Sequence, residues 1–285
     1  MIASRAVRRF VAQRGACVGA VMVIVLIAIA LVQPARKDPL RSDIDHGLSV
    51  QGAPLPPSAD APLGTDDLGR DVWSRVVAGA GTSIEIATVA TVLALAFGLL
   101  VGLTAGYAGG WVDEVLMRLV DLVLAFPYLL LAILLGVMFR QSGLGSAGVI
   151  VTLSIVGWTT IARVVRGKAM IIARGDHVLA ARSLGASPAR IVLRHVLPNV
   201  AGVVVALAAL GFAQNLLSEA VLSYLGLGPP PPAPTWGRMM FEARSYYRAA
   251  PWLTIAPGVA ILWAVVGFNL LGEGLRDLLD PKERR

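Results

Sequence analysis

The chain has 285 residues, 56% of them hydrophobic, a mean hydropathy of +0.72 and a formal net charge of +7. That is too apolar for an ordinary soluble domain, and the charged residues cluster between apolar blocks, so the expected fold is all-α, a polytopic bundle of membrane helices. The net charge is no nucleic-acid footprint, because no basic stripe interleaves with aromatics; the single Cys17 excludes an intrachain disulfide, and His46, His177 and His195 lack metal-ligand spacing.

A spanning helix needs roughly 20 apolar residues. Six segments qualify: 15–32, 83–105, 115–137, 147–162, 200–217 and 253–271. The first carries Ala28 and Ala30, small residues like those at a signal cleavage site. Its apolar core exceeds the roughly 7–15 residues of a signal peptide, so it reads as a span, with residues 1–32 forming the amino terminus and first helix. Residues 33–82 form a long loop in which seven aspartates offset Arg36, Lys37, Arg41, Arg70 and Arg75. Its 53–62 stretch is Pro-rich and extended. Residues 64–75, GTDDLGRDVWSR, read as a turn into a short amphipathic helix that feeds the second span.

Gly98, Gly102 and Gly106 recur every fourth residue in the second span, a small-residue ridge suited to close helix packing. Pro127 removes a backbone bond and kinks the third span. Three carboxylates sit in spans near their ends: Glu85, Asp121 and Glu219. A charge at the bilayer centre costs about 2.5–3.5 kcal/mol, less near the ends. Arg118 and Asp121 are three apart and pair on one helix face. Local ion pairing or snorkelling is the plain reading of these groups. A place against a partner subunit or a solute pathway, or a proton-carrying role, is the functional one. Beyond the fifth span, residues 228–237 (GPPPPAPTWG) begin a stiff polyproline stretch, followed by Trp236, Tyr246, Tyr247 and Trp252 at interfacial positions.

Basic residues set the orientation. Arg5, Arg8, Arg9 and Arg14 lie at the amino end; Arg163, Arg166, Lys168, Arg174, Arg182, Arg190 and Arg194 between spans four and five; and Arg276, Lys282, Arg284 and Arg285 at the tail, 273–285. Six spans put all three regions on one side, the cytoplasm, with the 163–198 loop as its main feature.

Within that loop, residues 175–199 (GDHVLAARSLGASPARIVLRHVLPN) read as two short helices with a break. Asp176 is expected to accept from the free N–H groups that open the first helix. Gly185 closes it in a left-handed conformation. Ser187 caps the second helix, Pro188 takes its first position, and Pro198 ends it or starts the next span. Such a stiff elbow transmits a push from a cytoplasmic partner as a flexible loop does not.

The frame Leu179-Ala180-Ala181, Gly185, His195, Leu197-Pro198 resembles the Glu-Ala-Ala loop of binding-protein-dependent ABC importers, with Leu179 in place of Glu and His195 in place of Ile. The strings at 64–75, 118–132, 218–237, 250–258 and 268–281 are similar to the second permease subunit of dipeptide and oligopeptide importers, a group that includes nickel and other peptide-like-solute importers. The resemblance implies a type I ABC importer transmembrane fold over 83–272. It implies that His177, Ala180, Ala181, Arg182, Gly185, Ala186, Ser187, Leu197 and Pro198 serve ATPase coupling, with 177–187 inserting into the ATPase. It further implies a related second permease subunit, two ATP-binding subunits that hold ATP and Mg, and an extracytoplasmic solute-binding protein, all at the inner membrane. The sequence has no Gly-x-x-x-x-Gly-Lys-Ser/Thr loop, no His-Glu-x-x-His helix and no Gly-x-Ser-x-Gly elbow, so no catalytic residue is expected and the fuel site belongs to another polypeptide. A proton-coupled secondary transporter and a membrane scaffold are the rival classes.

Overall fold

A computed structural model describes residues 13–31 and 37–279; expectations for Arg5, Arg8, Arg9, Lys282, Arg284 and Arg285 lie outside them. The helices are α1 (Arg14–Leu31), α2 (Val72–Ala108), α3 (Gly110–Leu124), α4 (Tyr128–Gln141), α5 (Ser146–Ala173), α6 (Asp176–Ser183), α7 (Pro188–Ile191), α8 (Leu197–Tyr224), α9 (Trp236–Ala243) and α10 (Trp252–Leu279). A π-turn, Val192–Val196, joins α7 to α8, and one helical turn, Ile44–Gly47, interrupts the loop before α2.

Among the described residues, α2, α5, Pro188–Tyr224 and Trp252–Leu278 are each long and apolar enough to cross a membrane, and α3 with α4 makes a fifth crossing if the bent pair counts as one. The sixth expected segment, α1, has 18 described residues; at 1.5 Å per residue that is about 27 Å, close to the hydrocarbon thickness of about 30 Å.

The glycine ridge holds the centre together. Gly98 faces Trp158 and Ile161, Gly102 faces Ala162 and Val165, and Gly106 faces Arg166 and Ala169, so α2 and α5 run parallel in close contact. A Cβ at Gly102 would stand 2.6 Å from the Ala162 carbonyl oxygen. The ridge serves a seam within the chain. On the far flank α1 runs antiparallel to α10, with Gly19 against Gly267 and Leu271 and Gly274 against Ala16. These registers bring Arg14, the α5–α8 elbow and the end of α10 to one end of the bundle. The start of α2 and helix α9 lie at the other.

Several helices overrun the apolar windows that announced them. The expected amphipathic helix is the opening of α2 itself, capped where Asp71 Oδ2 accepts from Ser74 N at 2.8 Å. Helix α5 continues past 162 to Ala173. Composition sets the apolar window, whereas backbone hydrogen bonding continues the helix beyond it. Pro127 does more than kink the third span: α3 and α4 meet at 84°. Pro127 lacks an N–H and disfavours helix at the residue before it, so it becomes the first cap of a new helix. The expected Arg118–Asp121 pair is also corrected. Arg118 reaches Glu114 at 4.0 Å, while Asp121 takes Arg163 of α5 at 2.6 Å.

At the α9 end a charge cluster ties the loop to two helices. Arg75, 1% exposed, contacts Asp66 at 3.3 Å and Glu242 of α9 at 2.7 Å; Arg70 bridges the same two carboxylates. Burial, with the Asp66 charge adding to it, raises the Asp67 carboxyl above its usual range, against the attraction of Arg70.

Candidate functional site

The elbow forms because its local chemistry allows little else. Helix α6 starts at Asp176, and its cap is Gly175 with no side-chain bond, so the expected Asp176 cap is corrected. Asp176 instead occupies the first turn, where its charge favours the positive end of the helix. The far end closes as a Schellman motif. Gly185 has φ +79°, its N–H donates to Arg182 O at 3.0 Å, and the Ala186 N–H donates to Ala181 O at 3.1 Å. Ser187 then caps α7 by accepting from Arg190 N at 3.4 Å, with Pro188 at the first position. The second helix is not free-standing, because Pro188–Tyr224 is long and apolar enough to count as one span. Pro198 sits at its α-helical restart, where its missing N–H is tolerated.

Val178, Ile191, Val196 and Val200 are fully buried and join Val165 and Ala169 of α5 in one core, with Ala181, Ala186 and Leu197 packed against it. Among the expected coupling residues, Ala181, Ala186 and Leu197 therefore face the bundle. His177, Ala180, Arg182, Gly185, Ser187 and Pro198 are exposed. Arg182 stacks 5.6 Å above the Tyr107 ring at the end of α2. His195 lies beside His177 with ring centroids 6.2 Å apart. Among the described residues no His, Cys, Asp or Glu group is arranged to hold a metal.

The sequence reading missed the most exposed apolar group of the elbow. Leu184 is 88% exposed at the tip of the turn, accompanied by Leu179 and Leu193. The signal was present as three leucines set among arginines and serine in a polar stretch. Exposed leucines among Arg182, Arg190 and Arg194 make a mixed apolar and cationic face of the kind that docks protein.

Behind the elbow, α3 is fastened to α5 by Arg166–Asp113 and Arg163–Asp121. Asp121 is thus half-exposed and paired. Glu85 is exposed on the outer face of α2 beside Val89, and no ion pair holds it among the described residues. Glu219 is fully buried at the opposite end. Ser223 Oγ donates to its Oε1 at 2.6 Å, while Oε2 has no hydrogen-bond partner among the described residues, with the hydroxyls of Ser83 and Thr235 close by. Thr235 caps α9 and Ser83 accepts from Trp236 N, so Glu219 is the polar knot joining α8, α2 and α9. The structure does not bring the three carboxylates together.

Comparison with known proteins places this geometry. Residues 98–285 match the binding-protein-dependent transport system inner membrane component family. The chain is 37% identical to the dipeptide transport system permease protein DppC of Alkalihalophilus pseudofirmus, over 94% of this chain and 86% of that one. It is 38% identical to the oligopeptide transport system permease protein OppC of Bacillus subtilis, over 98% and 90%. It is also 38% identical to the glutathione transport system permease protein GsiD of Pectobacterium atrosepticum, over 96% and 89%. The fold is similar to a chain of the inward-facing MetNI methionine ABC transporter, with a TM-score of 0.59 and 20% identity over 72% of this chain and 96% of that one. The chain belongs to the family of inner membrane components of binding-protein-dependent transport systems.

Proposed function

We propose that the chain is a permease subunit of an ATP-driven peptide importer and forms half of the passage across the inner membrane. The elbow carries the reading: a capped, internally anchored helix turn that presents leucines and arginines outward. The permease names of the relatives support a peptide cargo. The working assembly contains a related second permease, two ATP-binding subunits that hold ATP and Mg, and an external solute-binding protein. The chain itself makes and breaks no covalent bond. Its elbow end faces the cytoplasm, consistent with the arginines gathered there.

Force enters at Leu184 and Gly185 and leaves through α5 and α8, which flank the turn. Because α5 is joined to α2 by the glycine seam and to α3 by two ion pairs, a shift of the elbow moves three helices as a unit. ATP binding closes the ATPase pair and opens the passage outward; hydrolysis resets it. Gly185 separates bulk from strain in a test. A Cβ there meets nothing within 4 Å, so Gly185→Ala incurs only the left-handed backbone penalty of about 1–2 kcal/mol. In the reconstituted assembly Gly185→Trp should lose peptide uptake while ATP hydrolysis continues, and Gly185→Ala should retain most uptake. Wild-type uptake by Gly185→Trp contradicts the reading.

A further inference from the structure

A pocket of about 410 Å³, open on one side, lies between α2, the α3–α4 break, α5 and α8, with Thr160 and Gln214 exposed in it. That volume falls within the roughly 300–1,000 Å³ of small-ligand sites. Its walls include Thr91, Phe126, Tyr128, Thr160, Gln214 and Asn215, and no Asp, Glu, Lys, Arg or His lines it. Two of the polar groups are committed elsewhere: Asn215 Nδ2 donates to Thr91 Oγ1 at 2.9 Å, and Thr91 donates to Ala87 O at 2.6 Å. The Gln214 amide and the Thr160 hydroxyl bond no other described residue.

A free amide inside a span is unfavourable against hydrocarbon, so this exposed one faces water, solute or a partner subunit, and the pocket beside it favours the first two. The backbone gives the same answer independently. No side chain caps the first turn of α4, and Phe126 and Tyr128, on either side of Pro127, line the cavity. A broken span is tolerated only where it is buried in protein or borders an aqueous space. Broken helices beside such a space build the solute sites of many transporters.

We propose that this cavity is the stretch of the solute passage that this chain supplies, and that Gln214 and Thr160 are its contacts for the amide and carbonyl groups of a peptide backbone, whatever the charge of the peptide's side chains. The proposal rests on the peptide-import reading above. An uncharged wall offers hydrogen bonds that every peptide can use. A buried charge would hold peptides of opposite sign and repel those of like sign. Passage also needs contacts weak enough to release.

The test uses the full assembly with its natural partner subunits in proteoliposomes, in a Cys17→Ser background. Gln214→Cys and Thr160→Cys should react with a charged, water-soluble thiosulfonate at least 10-fold faster than Leu262→Cys, an apolar position exposed on the face of α10; thiolate forms only where water reaches. Reactivity at both positions no greater than at Leu262→Cys overturns the proposal, whatever the cargo. Uptake of alanyl-alanine, lysyl-alanine and glutamyl-alanine is then compared. Wild type should carry all three to within a few-fold, and Gln214→Glu should lower the glutamyl-to-lysyl uptake ratio at least 10-fold. An unchanged ratio in a variant that still transports overturns the proposal. If wild type carries none of the three, the peptide reading fails, and the labelling result still judges the cavity as a hydrated passage.

Discussion

Gly102 offers a sharp physical test of the seam proposed to carry the elbow's motion. Its α-hydrogen points at α5, and a methyl group there would stand 2.6 Å from the Ala162 carbonyl oxygen and 2.8 Å from Val165 Cβ. The oxygen is backbone, so no rotamer change relieves the clash; the helices must part by roughly 0.8 Å to regain ordinary contact. Overpacking of this kind costs about 1–3 kcal/mol, partly offset by the roughly 0.5–1 kcal/mol by which alanine favours a helix over glycine. Gly81 lies in the same helix and meets nothing within 4 Å, so Gly81→Ala keeps the gain without the clash. The two substitutions should therefore differ by about 1–3 kcal/mol, with opposite signs. Unfolding of the purified assembly in mixed micelles measures this, and peptide uptake per ATP hydrolysed measures transmission. Equal stability of Gly102→Ala and Gly81→Ala would refute the close seam.

Three further outcomes follow from the charges. Glu242→Ala should destabilise by about 3–5 kcal/mol, because Arg75 and Arg70 stay buried with one carboxylate fewer; chemical denaturation checks it. Burial raises the Asp67 carboxyl, so the folded chain holds that proton more tightly than the unfolded chain. Its stabilising effect is present below the ordinary value of 3.8 and is lost as pH rises through the raised value. Asp67→Asn should thus unfold later than the parent at neutral pH and match it in acid below 3.8. Asp121→Asn removes a half-exposed pair with about 0–1 kcal/mol at stake, and uptake should persist without a pH gradient. Gradient-driven uptake that vanishes in this variant would favour a proton-coupled transporter.

What the sequence disclosed was local. Gly185, Ser187 and Pro188 each answer to one backbone angle or one orphan N–H, so their places in the turn were readable from residue type. Asp176 was misplaced by one position because Gly175 also fits an extended cap, and spacing alone does not choose between them. Tertiary partners were hidden. Nothing in the spacing of Arg118 and Asp121 announces Arg163, which is 42 residues away from Asp121 and one helix over. The glycine ridge was legible as a packing surface, but its partner helix was not. Pro127 signalled distortion, yet an 84° break depends on what fills the space beside it. The cavity polar groups were invisible for the same reason, since Gln214 reads as one more residue in an apolar run until the fold sets it beside Thr160 of α5 at the open side of a pocket.

The central claim is that the elbow is gripped by a separate ATPase. Leu184→Cys in the Cys17→Ser background, labelled with a benzophenone maleimide and illuminated in membranes holding the whole assembly, tests it most directly. The photoreactive benzophenone needs no thiol on the partner, so the account predicts one adduct with the mass of this chain plus one ATP-binding subunit, and no reaction with an impermeant thiol reagent added outside intact cells. Labelling from outside, or no adduct in an assembly that imports peptide, would contradict it.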